Sequence, residues 1–229
     1  MCFNSESSIG AFTIGSICSI LLLWKKYYFY AIFSFSIVIM QLSEYFAHIA
    51  IETNNKWLNN LSSKAIYWIL FLQPLVYSTF LKIIPPKNIK FKYPDLINTI
   101  YPPLLIIYIL VIGYYYYFLN KENLFYTNYL FKNCKSICRL NWSFLNSKPF
   151  LMYLFAGIYF CIFQLFSFTD PTRSVSMANN YTTIVLLLSL IYIMIIGQGM
   201  KTKNLFTAFG SLWCFLCVFY GLILLIYLP

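Results

Sequence analysis

Residues 27–52 read YYFYAIFSFSIVIMQLSEYFAHIAIE. The stretch is long and apolar enough to cross a bilayer, whose hydrocarbon core needs about 20 residues of helix. It nevertheless contains Gln41, Glu44 and the only histidine of the chain, His48. At about 100° per residue, Ser34, His48 and Glu52 fall within roughly 20° of Gln41, and Glu44 about 60° to one side. These five residues form one polar stripe on a helix otherwise made of Phe, Ile, Val, Met, Leu and Ala. A carboxylate facing lipid costs about 3 kcal/mol on insertion scales. The stripe is therefore expected to face a bundle interior or a water-filled cavity. Gln41 lies near mid-helix, His48 nears the far interface, and Glu52 marks the helix end.

The rest of the chain has the same apolar character. Of 229 residues, 61% are hydrophobic and only 10% charged, against about 25% charged in soluble domains. Apolar runs near 20 residues recur throughout, so the expected fold is an all-α, polytopic transmembrane bundle in one membrane domain. Spans are expected at about 8–24, 27–51, 65–84, 100–119, 149–168, 182–200 and 206–228. That gives seven helices, or six if the short first segment packs without crossing. Residues 120–148 read as a polar and partly amphipathic section lying on the membrane surface. The first span has a small-residue face of Gly10, Ala11, Gly15 and Ser19, which invites close helix approach. Pro74 is expected to kink the third span, and Pro102 and Pro103 to lie in the first turn of the fourth. Tyr114–Tyr117 read as an interfacial aromatic belt.

The partner implied is the lipid bilayer. The formal charge of +10 comes from lysines between apolar spans, which suit anionic headgroups and do not point to nucleic acid. Lys25 and Lys26, directly after the first span, favour an outside N-terminus and an inside C-terminus. Asn60-Leu-Ser62 and Asn141-Trp-Ser143 are then glycosylation sequons in outside loops. The oligomeric state is open. Seven cysteines give no disulfide framework, and the first seven residues lack the basic region of a cleavable signal.

Glu44 and His48, spaced i, i+4, share a helix face. This permits a hydrogen bond, a proton relay or two ligands of one metal, and equally an internal clamp between helices. One histidine rules out three-histidine zinc chemistry and an HExxH helix, and no cofactor is expected. A nucleophile paired with His48 would be Cys2 or Ser43. Cys214 and Cys217 have CxxC spacing but sit in an apolar span, where a thiolate is disfavoured. Cys134 and Cys138 share a basic loop, Gln164 and Gln198 read as interhelical glue, and Asp170 with Arg173 as a surface pair. The polar stripe is thus expected to bind or move a small solute or proton. Glu44 would carry the charge, Gln41 orient it, and His48 relay near the mouth. An intramembrane enzyme and a structural component are the alternatives.

The chain opening and second span together resemble an uncharacterised family of multipass membrane proteins. Its members open Met-Cys-Phe-Ser, place a serine a few residues on, and carry Gln-x-x-Glu in the second helix. Here Met1, Cys2, Phe3 and Ser8 match the opening, Asn4 stands at the family's serine, and Gln41 and Glu44 match the pair. The resemblance implies no reaction. It does imply that Cys2 and Glu44 are worth considering together, with Cys2 approaching His48 and Glu52 if the first two helices form a tight hairpin.

Overall fold

A computed structural model describes residues 4–85, 90–91, 94–129, 140–147, 154, 157–158, 161–162, 169–170, 220–226 and 228. Four long helices dominate: α1 (Ser5–Trp24), α2 (Tyr28–Glu52), α3 (Lys56–Ile83) and α4 (Pro94–Lys121). Each is long and apolar enough to cross a membrane. A short helix, α5 (Ser143–Asn146), and four short strands complete the described elements: β1 (Lys90–Phe91), β2 (Thr127–Tyr129), β3 (Leu140–Trp142) and β4 (Thr169–Asp170). The strands form two antiparallel pairs, β1 with β4 and β2 with β3. The fold is mostly helical, as expected, but the described residues do not present seven spans. The expected spans at 149–168 and 182–200 lie outside them apart from helical positions 154, 157–158 and 161–162, and of 206–228 the helical part described is 220–226.

Helices α1, α2 and α3 are joined by three-residue turns. Both turns have the same backbone design. After α1, Lys26 takes φ 64°, Tyr27 N–H bonds the Leu22 carbonyl and Lys26 N–H that of Leu23, both at 2.9 Å. After α2, Asn54 takes φ 55°, while Asn55 and Asn54 N–H groups reach Ala50 and Ile51 at 2.9 and 3.3 Å. These are Schellman ends, in which one left-handed residue lets the chain reverse and satisfies the last carbonyls. Asn123 repeats the design after α4, at φ 53°, with Leu124 N–H on Leu119 O at 2.9 Å.

Two helices begin earlier than the sequence pattern suggests. The third starts at Lys56, not near residue 65, because Asn55 caps it: its side-chain oxygen accepts from Leu58 N–H at 3.0 Å. The fourth starts at Pro94, not near residue 100. Proline suits a first helical position, and Asp95 follows in the first turn. Pro102 and Pro103 consequently fall inside the helix, where each removes a ladder hydrogen bond.

Helix α1 turns Ser8, Ala11, Gly15, Cys18, Ser19 and Leu22 inward and leaves Ile14, Ile17, Ile20 and Trp24 exposed. The small-residue face is therefore real, although Gly10 is not part of it: a Cβ there would meet nothing within 4 Å. A Cβ on Gly15 would lie 2.4 Å from Val38 Cγ2, so α1 and α2 approach as only glycine permits. Among the described elements α2 is the centre, with fourteen of its 25 residues buried.

Helices α3 and α4 are registered by hydroxyls. Tyr67 donates to Ile112 O at 2.7 Å, Tyr108 donates to Phe71 O at 2.8 Å, and Ser78 meets Tyr101 Oη at 2.8 Å. Tyr101, Tyr108 and Tyr115 recur every seven residues and are all buried, which makes one narrow seam on α4. Tyr114 and Tyr117 are exposed, so the tyrosine run is divided between this seam and the outer surface.

Of the section 120–148, residues 120–129 and 140–147 are described, and 120–121 complete α4. The remainder holds the β2–β3 hairpin and α5, docked on the first turns of α3. Asn59 mimics a strand: its amide donates to Thr127 O at 2.8 Å and its oxygen accepts from Thr127 N–H at 2.7 Å. Asn60 donates to Phe125 O at 3.0 Å, and Ser63 meets Thr127 Oγ1 at 2.7 Å. The polar residues 56–64, left between the expected spans 27–51 and 65–84, thus form the first turns of a helix whose polar face docks the hairpin. Tyr67, Phe125, Trp142 and Phe144 pack beneath it, fully or almost fully buried. Asn60, one sequon asparagine, is committed to this joint.

Candidate functional site

The polar stripe of α2 is an interior surface. Ser34, Gln41, Glu44 and His48 are each 0% exposed, whereas Glu52, at the helix end, is exposed. The helix periodicity that places them on one face also fixes their order in depth. Glu44 lies one turn deeper than His48, with their Cβ atoms about 6 Å apart by helix geometry.

At its outer end the stripe meets β2. The Tyr129 hydroxyl donates to Glu52 Oε1 at 3.3 Å and lies 3.3 Å from His48 Nδ1. A phenol has one proton. With that proton on Glu52, the Tyr129 oxygen accepts, and His48 donates from Nδ1. The bond pattern therefore assigns the Nδ1–H tautomer to a neutral His48. The Tyr129 ring covers the imidazole, with centroids 5.6 Å apart and planes 38° apart. Burial, and then the negative charge of Glu52, pushes the Tyr129 phenol up to about 12, so it remains protonated at physiological pH.

The chain opening stands at the same depth. Gly15 faces Val38, and antiparallel helices of equal rise bring Ser8 to about the level of Tyr45 and Ser5 to that of His48. Ser8 is fully buried, its hydroxyl donating to Asn4 O at 3.1 Å. Asn4 caps α1: its side-chain oxygen accepts from Ser7 N–H at 2.7 Å, and its own N–H donates to Ser7 Oγ at 3.2 Å. Asparagine and serine cap equally well, which accounts for Asn4 locally. Cys2 lies outside the described residues.

The structure buries Gln41, Glu44 and His48 on one face of α2 and adds Tyr129 beside His48, which reading the sequence alone does not reveal. Tyr129 is 81 residues from His48, on a strand of three residues. The β-forming run Leu124–Phe131, LFYTNYLF, is the signal that hints at such a strand. Ser43 does not join the site. It lies about 140° around the helix from His48, with its hydroxyl 3.4 Å from Ile39 O. Among the described residues no three of His, Cys, Asp and Glu gather as a metal site. Cys134, Cys138, Gln164, Arg173, Gln198, Cys214 and Cys217 lie outside the described residues.

Comparison with family models, with curated proteins and with solved structures returns no match for this chain.

Proposed function

We propose that this is a multipass membrane protein that takes up a proton or a small solute at the polar stripe of α2. The carrying observation is the burial of a carboxylate, a carboxamide and an imidazole at 0% exposure on one face of an apolar helix. Such groups are costly at membrane depth and by default mark a path or site. Glu44 is the charge-bearing group, Gln41 orients it, and His48 communicates with the outer end of the stripe. The test is proton or solute flux in proteoliposomes. Glu44→Gln abolishes flux while the purified variant keeps its helicity and elution profile. Flux equal to wild type would sink the proposal.

The same burial favours a second reading, in which the stripe holds helices together. On that reading Glu44→Gln lowers thermal stability in detergent, and wild-type liposomes show no flux above protein-free controls.

The crossing number belongs to this proposal. The pairing of β1 with β4 joins the segment before α4 to Thr169–Asp170. The β2–β3 hairpin follows α4 at its other end. On this proposal the chain crosses again between residues 147 and 169, a stretch that lies largely outside the described residues, and the spans at 182–200 and 206–228 are proposed beyond it. An odd number with the N-terminus outside leaves the C-terminus inside. From the resemblance of the chain opening to a multipass family we also propose that Cys2, which lies outside the described residues, approaches His48. Labelling of Cys2 by a thiol reagent then changes in His48→Ala, and identical labelling removes that link.

A further inference from the structure

We propose that Tyr129 is a positioning relay: its hydroxyl passes protons between His48 inside the bundle and Glu52 at the surface. The inference deepens the proposed function and rests on it for the purpose of the relay, but its hydrogen-bond assignment is testable separately.

The geometry comes from two elements that share no sequence neighbourhood. Helix α2 presents His48, fully buried, and Glu52, exposed, one turn apart. The hairpin brings the Tyr129 oxygen within 3.3 Å of both. The hairpin is not free to drift, because Asn59 binds both backbone groups of Thr127 and Ser63 binds its hydroxyl. Tyr129 is two residues further along β2 and inherits that fixation. Its ring also lies against the imidazole, with centroids 5.6 Å apart.

The step balances without an added reactant. Starting from imidazolium and carboxylate, the Nδ1–H proton moves to the Tyr129 oxygen while the phenolic proton moves to Glu52. The immediate products are neutral imidazole with its proton on Nε2, an unchanged phenol, and a protonated Glu52, a transient state that ends when Glu52 releases its proton to water. The resting ring, with Tyr129 again donating to the carboxylate, is the Nδ1–H form. Inward transfer is the reverse. The phenol never becomes a phenolate, so its resistance to ionisation does not hinder it.

His48 being the only histidine, 15N-histidine labelling yields a single pair of ring resonances. At a pH where the ring is neutral, wild type shows the Nδ1–H tautomer. Tyr129→Phe, which retains the ring, shifts the population toward Nε2–H. Glu52→Gln retains an acceptor and keeps Nδ1–H. In proteoliposomes Tyr129→Phe and Glu52→Gln each slow proton flux at least tenfold, and Glu44→Gln abolishes it. A wild-type Nε2–H tautomer, or a spectrum unchanged in Tyr129→Phe, overturns the assignment. If Glu44→Gln stops flux and Tyr129→Phe leaves it intact, the relay is wrong and the proposed function stands. If no substitution alters flux, both fail.

Discussion

Gly15 and Gly10 are five residues apart on α1 and have opposite roles. A side chain at Gly15 would overlap Val38, itself fully buried. Gly15→Leu is expected to cost about 1–3 kcal/mol through overpacking, read as a lower unfolding temperature in detergent. Gly10 meets nothing, and Gly10→Ala is expected to stabilise by roughly 0.5–1 kcal/mol through helix propensity. Lys26 carries the left-handed conformation of the α1–α2 turn, which glycine adopts without strain, so Lys26→Gly gains about 1 kcal/mol. Tyr129 has a pH signature of its own. Its phenol ionises near 12 in the folded protein and near 10 unfolded. A raised acid pKa favours the neutral form in the fold. The associated stability is thus fully present below about pH 10 and is lost as pH rises toward about 12. Thermal denaturation between pH 9 and 12 should fall more steeply for wild type than for Tyr129→Phe, whereas parallel curves would contradict the placement.

At the scale of elements, polar groups join what apolar area alone does not. Helices in lipid gain little from the hydrophobic effect on association. The α3–α4 seam accordingly relies on Tyr67, Tyr108 and Tyr101 reaching across to carbonyl or hydroxyl oxygens. Tyr108→Phe leaves the Phe71 carbonyl without this donor and is expected to cost about 1 kcal/mol. The hairpin joint is the more sensitive point. Asn59→Ala leaves both Thr127 backbone groups without the partners that dock β2, at about 1–3 kcal/mol. Hydrogen exchange at Thr127 and Tyr129 should then accelerate while α1–α2 amides stay protected. Uniform acceleration would mean that the hairpin is part of one cooperative unit with the helices.

At the scale of the molecule, the described residues define two faces. The α1–α2 turn and the end of α3 lie at one, and the α2–α3 turn, the end of α4 and the hairpin at the other. In a cysteine-free background, Lys26→Cys and Asn123→Cys should label from opposite sides of sealed vesicles with an impermeant maleimide. Labelling from the same side would refute the topology.

Much of this was legible in residue pattern. The 3.6-residue period alone grouped Ser34, Gln41, Glu44 and His48 and required them to face inward, because a carboxylate or imidazole in lipid is costly whatever the tertiary fold. Hydropathy likewise dictated long apolar helices, and the small residues of the first one invited a close helix approach without saying which helix; Gly15 against Val38 makes it α2. The polar run 52–64 was misleading because composition does not distinguish a solvated loop from a helix whose polar face is occupied. Asn59, Asn60 and Ser63 read as solvent-facing until the hairpin supplies their partners. Tyr129 was hidden for a related reason. A contact across 81 residues depends on how a hairpin is seated, and no local period encodes it. That α2 carries a buried polar stripe follows from helix geometry and the cost of charge in an apolar medium, and so is written in its residues. What covers its outer end follows instead from long-range packing, since the Tyr129 bridge exists through the docking of β2 on α3.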